Sequence, residues 1–360
     1  METEKPIKTS PWLFWFAVVT AFFTFLLLGL GGLVTSHEAG MSVPDWPNTY
    51  GYNMFLFPPA QWIGGIFYEH THRLLASAVG LMTTILAVWL WYRDPRAWMR
   101  WLGVIAFLLV VAQGVLGGLR VTLHMDSLGI FHGTIAQLFF VLTIALALFT
   151  SRFWAELAAS RQRLPVPSGL RTFVLATTVL ILVQLILGAT MRHQHAGLAI
   201  PDFPAAYGAW WPDTSAAAVA AYNAHRIEVN GENPITAFQI ELQMVHRLVA
   251  LAIFLFVAAG AWQSHRRLGG KDSLTRLAWS WLALILVQIG LGAATIWSNK
   301  AADVATAHVL VGALALALGA TWSLLAFGRS MTPASRPREN RLAPDATGII
   351  GAQPFLAGNK

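Results

Sequence analysis

The sequence predicts an all-α polytopic membrane protein, eight transmembrane helices arranged as two pseudo-symmetric four-helix bundles. Three observations predict it. Hydrophobic residues fill 56% of the 360 positions and charged residues only 11%, the balance of a membrane protein rather than of a soluble core. Eight apolar runs, at 11–34, 69–92, 101–121, 128–150, 171–191, 237–262, 277–297 and 303–327, reach the length of about 20 residues that a bilayer requires. Finally, the chain repeats itself.

In chain order, residues 1–10 form a short polar tail on the cytoplasmic side. The first run is too long for a signal-peptide core and no small-residue cleavage site follows it, so it counts as the first span. An outer loop follows, in which residues 39–51 read Ala-Gly-Met-Ser-Val-Pro-Asp-Trp-Pro-Asn-Thr-Tyr-Gly. After the fifth span, residues 196–208 read Ala-Gly-Leu-Ala-Ile-Pro-Asp-Phe-Pro-Ala-Ala-Tyr-Gly, identical at seven of thirteen positions and offset by 157. Beyond the loops the offset rises to 174 for His72 and His246 and 176 for His132 and His308, because the second outer loop is 17 residues longer. The third and seventh spans agree at Gln113–Gly117 and Gln288–Gly292, and the fifth carries a similar Gln184–Gly188; such small residues let helix backbones approach closely. The chain therefore reads as an N-terminal half (11–150), a cytoplasmic linker (151–170) containing Pro165-Val166-Pro167, a C-terminal half (171–327) and a disordered cytoplasmic tail (328–360). An even number of helices per half leaves both copies in the same orientation, with a pseudo-two-fold axis along the membrane normal.

The net charge of +7 is topological. Of the 24 Lys and Arg residues, 18 fall in segments on the side of both termini, which places both termini in the cytoplasm of a multi-pass protein of the cell's inner or plasma membrane. The basic excess thus implies no nucleic-acid partner; the lipid bilayer is the partner it implies. The absence of cysteine excludes disulfides, iron–sulfur clusters and thiolate haem ligation, leaving His, Met, Tyr and carboxylates to hold any metal.

Polar groups inside apolar spans are costly, and they cluster. The second span opens with Tyr68-Glu69-His70-Thr71-His72-Arg73 and the sixth with Gln243-Met244-Val245-His246-Arg247, each followed two spans later by a lone histidine, His132 or His308. Topology puts all four histidines in the first turns of their helices at the outer face, two per half. Imidazoles from facing helices are how a bundle grips a haem from both axial sides. Two histidines with one nearby carboxylate are thin for structural zinc or a di-iron site, while copper competes; the glycine-rich third and seventh spans favour a flat macrocycle. Arg73 and Arg247 read equally as interface snorkellers or as propionate contacts. His37 is a further propionate candidate, and Asp45 and Asp202 read as turn-formers. His70, His124, His193, His195, His225 and His265 carry weaker signals. The halves differ where Glu69 meets Gln243: a carboxylate can act as acid or base or stabilise a developing cation, whereas an amide cannot. Glu69 is therefore the candidate catalytic residue.

These motifs, Glu-x-x-His-Arg, Gln-x-x-His-Arg and the single histidines of the fourth and eighth spans, resemble those of the haem A synthase family over about residues 11–327. The resemblance implies conversion of haem O to haem A by successive oxidation of one ring methyl to an aldehyde, for assembly of a terminal oxidase. It implies that His72 and His132 hold substrate haem O beside Glu69, and that His246 and His308 ligate a permanent haem b that passes electrons. Implied partners are a haem O synthase, oxidase assembly factors and an electron donor of unknown identity, and self-association stays open. Many bacterial members carry cysteine pairs in their outer loops; this chain resembles the cysteine-free type. Alternatives from the residues alone are a dihaem cytochrome b that only transfers electrons and a non-catalytic haem carrier.

Overall fold

The computed structural model describes residues 10–159, 165–225 and 234–331. Eight of the described helices are long and apolar enough to cross a membrane. They are α1 (Pro11–Ser36), α2 (Gly64–Arg93), α3 (Ala97–Thr122), α4 (Leu128–Thr150), α6 (Ser168–His193), α8 (Ala237–Leu268), α9 (Ser273–Trp297) and α10 (Ala302–Met331). Two short helices join them: α5 (Arg152–Ala159) lies between the fourth and fifth spans, and α7 (Ala216–His225) takes up part of the extra length of the second long loop. The chain is a multi-pass membrane protein. All but Ser10 of the expected polar N-terminal tail and most of the C-terminal tail expected to be disordered lie outside the described residues, and α10 itself runs on to Met331.

Local sequence sets the helix ends. Pro11 occupies the first turn of α1, where a missing N–H is harmless, and Ser10 caps it. Thr236 and Gln239 form a reciprocal capping box on α8, and Asp272 caps α9 through the Leu274 N–H at 2.8 Å. α2 begins at Gly64, five residues before the expected start, so Glu69 and His72 lie inside the helix rather than at its mouth.

The spans close into two rings. α1, α2, α3 and α4 pack side by side in cyclic order, leaving α2 and α4 on one diagonal and α1 and α3 on the other. α6, α8, α9 and α10 do the same, and the rings meet through α1 with α10, α4 with α6, and α4 with α10. Lipid is as apolar as leucine, so close backbone approach must hold such rings together. A Cβ on Gly103 would stand 3.2 Å from Ala87 Cα, and one on Gly32 would stand 2.9 Å from Thr306 Cγ2. Threonine hydroxyls in the spans are satisfied locally: Thr20, Thr83, Thr178 and others donate to a carbonyl one turn back. Trp281 and Trp322 donate across helices to Ala315 O and Leu274 O at 2.8 and 2.9 Å. At the face where α1 begins and α10 ends, Arg96 pairs with Asp94 at 2.6 Å and Arg329 with Asp272 at 2.9 Å. The opposite face carries the two long loops and the polar residues singled out above.

Candidate functional site

Each ring places two histidines on one diagonal and two glycines on the other. A Cβ on Gly31 of α1 would lie 3.2 Å from His72 Cε1 on α2, and one on Gly117 of α3 would lie 3.4 Å from His132 Cε1 on α4. The second ring repeats this: Gly188 of α6 faces His246 of α8 at 3.4 Å, and Gly292 of α9 faces His308 of α10 at 3.1 Å. All four imidazoles are partly buried, and in all four Nδ1 is buried without a hydrogen-bond partner of good geometry. His72 and His246 lie in the third turns of their helices, deeper than the first-turn position expected from sequence, and His132 and His308 in the second. The role of Gly31 was not visible in the sequence, where it is one small residue near the end of the first apolar run. The loop offset was the available signal, since 157 relates Gly31 to Gly188.

Glu69 and Gln243 share one structural task. Glu69 Oε2 accepts the Val43 N–H at 2.8 Å, and Gln243 Oε1 accepts the Ile200 N–H at 2.7 Å. Each side chain, 3% and 2% exposed, thereby holds its Pro-Asp-aromatic-Pro loop against the ring. The arginine one turn on completes the clamp. Arg73 donates to Val43 O, Asp45 O and Asn48 O at 2.9, 2.7 and 3.1 Å, while Arg247 donates to Asp202 O and Ala205 O at 2.7 and 2.9 Å. Both guanidinium groups are thus engaged by loop carbonyls, which leaves Arg247 Nε as a buried donor without a partner. Among the described residues, only the first ring's clamp holds an ion pair: Glu69 Oε1 accepts from Arg73 Nη2 at 2.6 Å. Gln243 instead donates from Nε2 to the Gly197 and Ile200 carbonyls at 3.3 and 3.4 Å.

Asp45 and Asp202 tie the loops as turn-formers. Asp45 accepts the Tyr50 and Gly51 N–H groups at 2.7 and 2.8 Å, and Asp202 accepts those of Tyr207 and Gly208 at 2.7 and 2.9 Å. Burial pulls the Asp45 carboxyl upward, but these backbone N–H groups, with Arg73 nearby, outweigh it and hold the group below its ordinary value. His37 stacks on Tyr68, with ring centroids 4.1 Å apart. His70 is fully buried and bonds Thr49 Oγ1 at 3.2 Å, away from the His72 face. His193 packs against Gly129, joining α6 to α4 across the two rings.

The donor set fits a haem in each ring. Two imidazoles approach from opposite helices, and the intervening helices carry glycine where a side chain would crowd the imidazole. Among the described residues no group of three or more His, Asp or Glu converges on a common point. Paired imidazoles suit axial ligation of haem iron. A carboxylate beside one pair and an amide beside the other puts a carboxylate base at that position in the first ring alone.

The match to known proteins covers the same region. Residues 60–319 match the model of the COX15-CtaA family, described as cytochrome oxidase assembly protein. The chain is 27% identical to a protein named Heme A synthase from Rhizorhabdus wittichii over 354 residues, covering 88% of this chain and 93% of that protein. It is 26% identical to one of the same name from Geobacillus kaustophilus over 306 residues (82% and 85%), and 29% identical to one from Shouchella clausii over 213 residues (58% and 68%). With its eight spans and its family match across most of the spanning region, the chain belongs to the COX15-CtaA family of cytochrome oxidase assembly proteins.

Proposed function

We propose that the protein is a haem A synthase, an oxidoreductase that converts haem O to haem A by oxidising one ring methyl to a formyl group, for assembly of a terminal oxidase. Relatives of that name align over most of the chain. The observation that carries the division of labour is the doubled His–Gly cage with a carboxylate in one copy and an amide in the other. In this reading His72 and His132 hold the substrate, haem O, and His246 and His308 hold a resident haem b. When bound, haem b supplies one-electron redox chemistry.

The remaining roles belong to the chain. Glu69 is the base of the first cage: taking a hydroxymethyl to a formyl group gives up two electrons and two protons, a carboxylate one turn from His72 takes up the hydroxyl proton, and the electrons and the second proton would leave to an external acceptor by way of the haem that the second cage would hold. Arg73, paired with Glu69 at 2.6 Å, favours its ionised form, the form able to accept a proton. Gln243 keeps the loop closed over the second cage without offering a base, which suits electron transfer. The loops 39–51 and 196–208, drawn against their rings, keep water from the cages. The side of the loops is the outer face of the cell membrane, both termini are cytoplasmic, and a haem O synthase delivers the substrate within the bilayer.

The test is extraction and chromatography of the haems from protein purified from cells that supply haem O. Haem A together with haem b is expected; haem b alone would overturn the synthase and leave a dihaem electron carrier.

A further inference from the structure

We propose that Arg120 is the carboxylate anchor of the first cage, fixing the substrate macrocycle by an acidic side arm; this rests on haem O being the ligand held between His72 and His132. Arg120 follows Gly117 by three residues on α3 and so shares the helix face that Gly117 turns toward His132. Its side chain is 15% exposed, and its Nε is buried without a partner. One terminal nitrogen meets Asp126 at 3.1 Å, but that carboxylate is 61% exposed, so the pair is screened and readily exchanged. The loop makes room for the group: a Cβ on Gly40 would stand 2.7 Å from Nη2.

The feature has no symmetric copy. At the equivalent position, three residues after Gly292, stands Thr295, whose hydroxyl bonds its own helix at Leu291 O, 2.8 Å away. Arg73 and Arg247, which the sequence offered for this role, are engaged by loop carbonyls in both halves. A guanidinium fork takes a carboxylate through two parallel N–H···O bonds, and haems carry propionates of that chemistry. At this position of the third span of each half, a cation thus stands only in the half that must capture and orient a travelling substrate; the buried Arg192 of α6 is instead held by Gly32 O and Ser36 Oγ of α1.

The probe is spectrophotometric titration of the purified full-length protein, haem b in place, with haem O and with its dimethyl ester. Wild type should bind the free acid more tightly than the ester by about tenfold or more, the worth of one charge-assisted contact. Arg120→Gln should abolish that preference, leaving the ester's affinity and the haem b content unchanged. Arg120→Lys should keep a reduced preference, and serves in its place should the glutamine variant fail to fold. Equal weakening of acid and ester, or an unchanged preference, would overturn the anchor. Failure of wild type to bind either form would instead sink the placement of substrate between His72 and His132.

Discussion

Glu69 holds Val43 by its backbone N–H at 2.8 Å, and so keeps the first loop closed over its ring. Gln243 does the same for Ile200 with a neutral amide. The molecule therefore contains its own control: the clamp needs an acceptor oxygen, and the charge is an addition in one half.

Glu69→Gln should for this reason leave folding and resident haem intact, while haem A formation falls by at least about 100-fold, the low end of what a general base contributes. Glu69→Ala should behave differently. It strands the buried Val43 N–H and removes the partner of Arg73, a loss of about 3 kcal/mol, toward the low end for a broken buried pair because Arg73 keeps three loop carbonyls. Thermal unfolding alongside haem analysis separates the two variants; equal activity in Glu69→Gln and wild type would remove Glu69 from the chemistry.

The glycines facing the histidines should rank by clearance. Gly292→Ala and Gly31→Ala place a methyl group 3.1 and 3.2 Å from an imidazole carbon, and should displace the ring and lower haem occupancy at a cost of about 1–3 kcal/mol. Gly117→Ala and Gly188→Ala, at 3.4 Å, should be milder. The haem-to-protein ratio measures this, and a reversed ranking would contradict the cage.

The first loop should loosen in acid. Because the folded Asp45 carboxyl lies below its ordinary value, its contribution is complete above the unfolded pKa of about 3.9 and is lost as pH falls through the lowered folded value. Hydrogen exchange at the Tyr50 and Gly51 amides should show protection that vanishes in that acid range. In Asp45→Asn the protection should be weaker and independent of pH there.

The spans, the repeat and the four histidines were legible because each depends on residue type at fixed spacing. The loop aspartates were legible too, since Pro-Asp-aromatic-Pro is turn chemistry. The occupation of Arg73 and Arg247 was not, because their partners are backbone carbonyls some 25 to 45 residues away in sequence, which no side-chain pattern announces. The early start of α2 was hidden by Gly64-Gly65, which reads as a breaker and lies within the helix. Arg120 went unnoticed because an arginine in the last turn of a span looks like a snorkeller; only the fold shows it one turn beyond a glycine that faces a histidine.

The account rests most on the division of labour between the two rings, and haem b content in His72→Ala and His246→Ala tests it directly. Haem b should persist in His72→Ala, with haem A lost, and should disappear in His246→Ala. Loss of haem b from His72→Ala with retention in His246→Ala would contradict the assignment of the halves.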